Sequence, residues 1–257
     1  MFDTLSESVN QAISDFGTIK QAIIDKGVEV PSGTPTSQYG AKIGEIQSGS
    51  GDEEFIKMID RTATEITLPS GLTKIGDYAF YNYSNLNSVD IPESVTSIGY
   101  SVFRECYNLA LTSLPEGLTS IGSYAFNSCK NLALTSLPEG ITSIGSDAFR
   151  YCNKLALTSL PSGVTTIGSY TFGSCKNLAL TSLPEGITSI SNNAFEYCTG
   201  LTEITFEGTP TSLSSSAFSS CTNLTTIRVP WAEGEVAGAP WGATNATIVY
   251  NYTPETT

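Results

Sequence analysis

Apolar residues recur along most of this chain with a step of 23, and polar residues fill the positions between them. Phenylalanine, an aliphatic residue, leucine and cysteine each keep this step, and each defines a column of the repeat. The columns are Phe80, Phe103, Phe126, Phe149, Phe172, Phe195 and Phe218; Ile75, Ile98, Ile121, Ile144, Ile167, Ile190 and Leu213; Leu86, Leu109, Leu132, Leu155, Leu178, Leu201 and Leu224; and Cys106, Cys129, Cys152, Cys175, Cys198 and Cys221. Seven copies with these fixed positions exclude chance and predict a repeat architecture.

One copy contains the signals for two short strands and two corners. Pro115-Glu116-Gly117 predicts a turn, Leu118–Ile121 a strand, Ala125–Cys129 a single turn of α- or 3₁₀-helix, and Leu132–Leu137 a second strand. Such a coil cannot bury its apolar side alone, but stacked coils can, with parallel strands about 4.8 Å apart. Residues 54–230 are therefore predicted to form a mainly β solenoid of about seven 23-residue coils, on the order of 35 Å long.

The pattern Pro-x-x-Val/Ile/Leu-Thr-x-Ile-Gly-x-x-Ala-Phe-x-x-Cys-x-x-Leu resembles the BspA-like (Treponema pallidum type) leucine-rich repeat over residues 64–230. The resemblance implies a solenoid used for adhesion and surface recognition, without catalysis. Four central copies depart from the family pattern: they read Leu109-Ala110-Leu111-Thr112-Ser113-Leu114, with apolar residues at steps 0, 2 and 5. The pattern leaves open which of these side chains face the interior.

An N-terminal segment with a different period precedes the solenoid. Its heptad seam predicts a short coiled-coil-like helix that oligomerises, with a trimer favoured, although packing on its own domain is an alternative. The seam residues are Phe2, Leu5, Val9, Ala12, Phe16, Ile19 and Ile23. Residues 1–46 as a whole resemble the attachment module of phage and prophage tail-associated proteins, and residues 47–53 form a predicted flexible linker.

Both ends of a solenoid need caps, because an open end exposes core and unpaired strand edges. Phe55–Ile59 and Thr64–Leu68 are predicted to form a starter coil, and residues 231–257 a C-terminal cap. Trp231 and Trp241 are interpreted as part of that cap, and a sugar-stacking pair is the alternative.

Composition narrows the possible functions. The chain has no histidine, which excludes Ser-His-Asp and Cys-His catalysis and His-ligated zinc. Twelve Lys and Arg against 25 Asp and Glu give a net charge of −13, so nucleic acid and anionic membranes are not expected partners. We find no run of eighteen apolar residues, so no membrane insertion is expected either.

Two columns invite a chemical interpretation. The six cysteines are interpreted as buried free thiols that fill small apolar volume, with disulfides and a metal site as alternatives, since CxxC spacing is absent. Glu93, Glu116, Glu139 and Glu185 follow the prolines and are interpreted as a solvated edge, because paired catalytic carboxylates need contrasting environments. No cofactor, metal or catalytic residue is predicted, and the protein is not expected to be an enzyme.

Positions that vary between copies are not required to pack the core, so their side chains can serve binding and indicate a ligand-binding edge. The variable positions beside Phe and Cys carry aromatic and basic residues, the composition of a recognition surface, although an ordinary polar loop edge is an alternative. The predicted ligand-binding residues are Arg104, Tyr107, Arg150, Tyr151 and Tyr197. The next column is interpreted as an internal hydrogen-bonding ladder, with a ligand site as the alternative; its recurring residues are Asn85, Asn108, Asn131, Asn177 and Asn223.

These features predict a binding protein. The first hypothesis is a phage or prophage tail-associated protein, located in the virion, that recognises a bacterial surface glycan or protein through the solenoid and other tail proteins through residues 1–46. Met1–Glu7 has neither a basic nor an apolar region typical of a secretory signal, which favours this hypothesis. The alternatives are a surface adhesin of BspA type at the cell surface, and a structural spacer without a ligand.

Overall fold

The computed structural model describes residues 61–68 and 70–253. The predicted N-terminal helix, the linker and Phe55–Ile59 lie outside these residues. The described residues contain short strands and turns without a helix, and therefore none that could span a membrane. The strands are β1 Glu65–Thr67, β2 Lys74–Ile75, β3 Ser88–Asp90, β4 Ser97–Ile98, β5 Ser120–Ile121, β6 Ser143–Ile144, β7 Thr166–Ile167, β8 Ser182–Leu183, β9 Ser189–Ile190, β10 Glu203–Phe206, β11 Ser212–Leu213, β12 Thr226–Arg228 and β13 Thr247–Val249.

The strands stack in parallel along the axis, as the repeat predicts. The first strand of each coil pairs in the orders β2-β4-β5-β6 and β7-β9-β11, and the aliphatic column stays in register, with Ile98 opposite Ile121. The second strands pair as β1-β3 and as β8-β10-β12-β13. The result is a β-solenoid of about eight coils, when the starter and closing segments are counted with the seven repeats.

The second side of the solenoid is irregular in the centre, where the departing copies lie. Residues 109–114, 132–137 and 155–160 form no strand. Their apolar steps 0, 2 and 5 nevertheless turn inward: Leu132 and Leu134 are fully buried, Leu137 is 6% exposed, and Thr135 is exposed. The residue at step 2 therefore replaces the central aliphatic residue of the regular copy, which is Val89 in β3.

The predicted helical turn at Ala125–Cys129 is wrong. The segment is a series of hydrogen-bonded turns, in which Asn127 N–H donates to the Tyr124 carbonyl at 3.0 Å, but Phe126 N–H donates to Ala148 of the next coil at 2.8 Å. Alternate amides point along the axis because residues such as Tyr124 adopt a left-handed backbone, with φ of 59°. A helix would direct these amides back into its own turn.

A column of stacked phenylalanine rings forms the centre of the core. All seven rings are fully buried, and neighbouring ring centroids lie 5.1–5.7 Å apart with interplanar angles of 1–18°. Each ring packs on copies of itself in the adjacent coils. The repeat of one residue type thus produces a continuous apolar column along the axis.

The residues of the predicted C-terminal cap lie at the end of this core. Trp231 is 3% exposed and Trp241 is fully buried; their ring centroids lie 6.0 Å apart, and Phe206 packs against both. The Phe218 amide, which would otherwise face an open end, donates to the Trp241 carbonyl at 2.9 Å. Both rings are buried in the core at this end, so the sugar-stacking alternative is wrong. The cap over residues 231–257 stays a prediction.

Candidate recognition surface

Aromatic and basic side chains form a continuous ridge on the outside of the first five coils. Its residues come from two places in each copy: the two positions directly after Gly, and the positions just after Phe. We call this set the Tyr–Arg ridge, and its members are Tyr78, Tyr81, Tyr100, Arg104, Tyr124, Asp147, Arg150, Tyr151 and Tyr170. At about 4.8 Å per coil, the ridge extends about 20 Å along the axis.

Two tyrosine rings flank Arg104, and two more extend the aromatic cluster within the first three coils. Its guanidinium lies 5.8 Å from the Tyr81 ring centroid and 5.3 Å from that of Tyr124. Tyr100 links Tyr78 and Tyr124 through edge contacts, with centroid distances of 5.2 and 5.6 Å. Tyr78 is 50% exposed and Tyr100 is 37% exposed, so the cluster presents aromatic surface to solvent while the arginine lies partly between the rings.

Arg150 organises the second half of the ridge. Its guanidinium lies 4.0 Å from the Tyr170 centroid and 4.9 Å from the Tyr151 centroid, and Nη1 is 3.2 Å from the Asp147 carboxylate. Asp147 is 5% exposed, and its negative charge also acts on the Tyr124 hydroxyl, whose pKa it raises. This carboxylate therefore interacts with both halves of the ridge, and its ion pair positions Arg150 beside the rings.

The surroundings raise the pKa of two of the phenols above its ordinary value of 10.0. Loss of hydration raises the pKa of Tyr78, with further contributions from Tyr100 and Asp77. The carboxylate of Asp147 raises the pKa of Tyr124. Both hydroxyls are therefore neutral hydrogen-bonding groups at physiological pH, and the charges of the ridge are carried by its arginines and Asp147.

Several ridge tyrosines occupy backbone positions that do not favour them. The φ angles of Tyr78, Tyr124, Tyr151 and Tyr170 are 61°, 59°, 64° and 55°, in the left-handed region. Asn, Asp and Gly adopt this conformation at lower cost than a bulky residue. In the sixth coil, Asn193 occupies the equivalent place. An aromatic side chain is thus not needed there for folding, and its repeated use points to a role on the surface.

The structure brings some of the predicted ligand-binding residues together and separates others. Arg104, Arg150 and Tyr151 belong to the ridge. Tyr107 lies in the column after the cysteine, where Lys130 stands 4.9 Å from its ring centroid. Tyr197 is 51% exposed in the sixth coil, beyond the end of the ridge.

Sequence reasoning missed five ridge tyrosines: Tyr81, which follows Phe80, and the four that precede phenylalanine, Tyr78, Tyr100, Tyr124 and Tyr170. The signal that could have found these four is the variable pair between glycine and the Ala-Phe or Thr-Phe step, as in Gly122-Ser123-Tyr124-Ala125-Phe126. That pair is polar or aromatic in every copy. The comparison of variable positions covered only those after phenylalanine and cysteine, so this pair was not assigned to the recognition edge.

The cysteine column carries no exposed chemistry. All six cysteines are free and buried, which confirms the thiol interpretation, and each Sγ lies 2.9–3.0 Å from the phenylalanine carbonyl of the preceding coil, as Cys129 does from Phe103. Burial raises the pKa of Cys106 and of Cys221 to about 12. Burial also raises the pKa of the four thiols between them well above its ordinary value. Across the described residues, no three His, Cys, Asp or Glu side chains form a cluster that could hold a metal ion.

The asparagine and glutamate columns form hydrogen bonds between adjacent coils. Asn108 and Asn223 donate from their amides to the Ser84 and Thr199 carbonyls of the preceding coil at 2.9 and 2.8 Å, which confirms the ladder at these positions. In the glutamate column, the Glu93 carboxylate accepts from the backbone amide of Glu116 at 3.0 Å. The turns are thus linked from coil to coil.

An open groove of about 340 Å³ lies where β3 meets the first departing copy, residues 110–115. Its walls include Ser88, Asp90, Glu93 and Thr112. The groove forms because the second sheet is interrupted at this point. Its acidic, hydroxyl-rich lining differs in charge from the arginine-containing ridge.

Comparisons with known proteins place the chain among leucine-rich repeat proteins. The family described as the BspA type leucine rich repeat region matches in six copies, over residues 58–179 and 142–232. A comparison with curated proteins gives no significant match.

Among solved structures, the T. pallidum leucine-rich repeat protein TpLRR is similar at 31% identity, covering 63% of this chain and 78% of its own, with a TM-score of 0.52. A leucine-rich repeat protein from Bacteroides ovatus is 24% identical over 75% of this chain and 62% of its own, with a TM-score of 0.43. The pneumococcal vaccine antigen PcpA is 18% identical over 74% of this chain and 42% of its own, with a TM-score of 0.44. The family match spans well over half of the sequence, and the stacked coils have the repeat that it describes; the chain belongs to the BspA type leucine-rich repeat family.

Proposed function

We propose that this chain is a non-catalytic recognition protein that binds a ligand on a bacterial surface through the Tyr–Arg ridge. The observation that carries the proposal is the repeated placement of tyrosine on left-handed backbone at the surface, where folding favours other residues. Solenoids of this kind offer long surfaces for binding, and their variable positions can change without loss of the core.

The side chains of the ridge suit recognition. Tyrosine supplies a large contact area with few rotatable bonds, and its hydroxyl adds a hydrogen bond. The two arginines are held between rings, so less conformational entropy is lost when a ligand contacts them. A glycan or a protein loop could use the same combination of apolar rings, hydroxyls and fixed cations.

Surface adhesion is the setting that family membership supports, since the resemblance implies adhesion and surface recognition. Attachment to a phage tail, with residues 1–46 as an oligomerisation and docking module, is a second proposal that depends on the heptad spacing of those residues. Deleting residues 1–46 tests it, because the oligomeric mass in solution should fall to that of a monomer. An unchanged mass would refute the assembly role.

The ridge is tested by a double variant, R104S/Y124S, which removes the central arginine and one ring that it contacts. We expect binding to whole bacterial cells to fall at least about tenfold, because central aromatic and arginine contacts dominate interfaces. Binding is measured by flow cytometry with labelled protein, on a panel of cells to which the unaltered chain binds.

The matched control is R228S/Y252S, a second arginine–tyrosine pair at the C-terminal end, with 5.7 Å from guanidinium to ring centroid. It should keep full binding, and both variants should keep the far-UV circular dichroism spectrum and thermal midpoint within a few degrees. Equal binding by R104S/Y124S and the unaltered chain would overturn the ridge as the site.

A further inference from the structure

Within the part of the chain that the structure describes, positive charge is concentrated on one edge. Five of the eight Lys and Arg residues between positions 61 and 253 lie in the segments that run from Phe to Leu in four successive coils; they are Arg104, Lys130, Arg150, Lys154 and Lys176. Within Phe126–Leu132, Phe149–Leu155 and Phe172–Leu178 there are four cations and no acidic residue. The glutamates of the central coils instead follow the prolines.

Three of these cations are available to a ligand. Lys130, Lys154 and Lys176 are exposed, and none has a carboxylate partner within the described part of the chain. Arg150, in contrast, is paired with Asp147. The three lysines define a basic track, which we name the lysine track; they follow the cysteine column by one or two residues, and Lys154 comes four residues after Arg150 of the ridge.

The spacing of the lysine track follows from the repeat. Lys130 and Lys176 occupy the same column two coils apart, and Lys154 comes from the intervening coil in the adjacent column. One charge therefore recurs at each coil, about every 4.8 Å along the axis. This interval is close to the length of one unit in an extended sugar chain.

We propose that the ligand of the ridge is an anionic polysaccharide that carries a carboxylate or phosphate on successive units. Its anionic groups contact the lysine track, and its sugar faces lie against the tyrosine rings. This inference rests on the proposed recognition function and names its ligand class. The net charge of −13 and the glutamate edge disfavour a polyanion elsewhere on the molecule, so the track fixes where such a chain can lie.

Binding to a uronate polymer provides the test. Polygalacturonate oligomers are titrated against the full chain by isothermal calorimetry, with maltodextrin of equal length as the neutral control. We expect polygalacturonate to bind and maltodextrin to bind at least about tenfold more weakly. The affinity for polygalacturonate should fall as salt rises from 50 to 200 mM, because exposed charge contacts are screened.

Two variants locate the binding. K130Q/K154Q/K176Q should lose about tenfold or more in affinity, since three exposed charge contacts are removed, whereas K130R/K154R/K176R keeps the charges and should bind as well as the unaltered chain. K74Q, a lysine outside the track, should have no effect. Unchanged binding by the triple glutamine variant, or equal affinity for maltodextrin, overturns the proposal.

Two further outcomes distinguish this proposal from the recognition function on which it rests and from binding by charge alone. If the unaltered chain binds cells in a ridge-dependent manner but does not bind polygalacturonate, the recognition function stands and the ligand class is wrong. If a thymidine oligonucleotide of equal charge binds as tightly as polygalacturonate, the surface responds to charge alone, and the assignment to a polysaccharide is wrong.

Discussion

Single residues of the core show how a polar atom is accommodated at an apolar position. Each cysteine thiol is buried and donates to a carbonyl of the coil before it, as Cys129 does to Phe103 at 3.0 Å. A serine would make the same bond but bury a more polar group, and an alanine would leave the carbonyl without this donor. Cysteine supplies both volume and a weak donor, which explains why one residue type fills six copies of the column.

The thiols make the stability of the protein sensitive to alkaline pH. Burial raises the pKa of Cys106 to about 12 from an ordinary value of 9.0, so the folded chain holds this proton in a range where the unfolded chain releases it. The stabilising contribution is fully present below pH 9 and is lost as pH rises toward 12. Each thiol lowers the free energy of unfolding by up to about 1.4 kcal/mol per pH unit in that window.

Urea unfolding at intervals between pH 8 and 11 measures this effect. A steep fall in the midpoint above pH 9 is expected, and the variant C129S/C152S/C175S should show a shallower fall, because hydroxyls do not titrate there. Tyrosine ionisation is common to both chains and cancels in the comparison. Identical slopes for the two chains would show that the buried thiols do not control the alkaline transition.

At the scale of the elements, the close approach of successive coils depends on a glycine column. A Cβ added at Gly122 would lie 2.5 Å from the Gly99 carbonyl oxygen, and one at Gly145 would lie 2.3 Å from the Ser123 backbone nitrogen. Such contacts require the backbone to move. In the sixth coil Ser191 fills the equivalent position, so the tightest approach belongs to the earlier coils.

The substitution Gly122→Ala should therefore lower the free energy of unfolding by about 1–3 kcal/mol, the usual cost of overpacking a rigid site. The matched control is Gly71→Ala, because a Cβ at Gly71 has no atom within 4 Å. That change should be neutral or stabilise by up to about 1 kcal/mol, through lower entropy of the unfolded chain. The free energy of unfolding of both variants is measured by thermal and urea unfolding. Equal destabilisation by the two substitutions would contradict the role given to the glycine column.

The elements also show which parts of the fold were predictable. The first strands follow from a periodic aliphatic residue next to a glycine, and β4 to β7 lie where this pattern placed them. The arrangement after the glycine was not predictable, because apolar spacing alone does not distinguish a helical turn from left-handed turns. The sequence also left open which side chains of the departing copies face the interior. Burial in the structure shows that the residue at step 2, such as Leu134, does so.

For the whole molecule, a column of one residue type becomes a continuous feature on the axis. This holds for the buried rings of Phe126 and its equivalents, and also for the outer surface, where Tyr124, Asp147 and Tyr170 succeed one another. Arg104, Arg150 and Tyr151 were found from sequence because variable columns were compared. The remaining ridge residues could not be found from sequence, because only the folded structure shows that the column after glycine lies beside the column after phenylalanine on the surface.

Because each coil contacts mainly its two neighbours, a whole coil should be removable. Deletion of residues 126–148 joins Ala125 to Phe149 and keeps every column in step. We expect a folded protein with cooperative urea unfolding and an m value lower by about an eighth, in proportion to the surface lost. Deletion of residues 126–136 instead shifts all later columns by eleven positions, so inward side chains would meet turns, and this variant should lose cooperative unfolding. If both deletions unfold alike, register between neighbouring coils is not what holds the solenoid together.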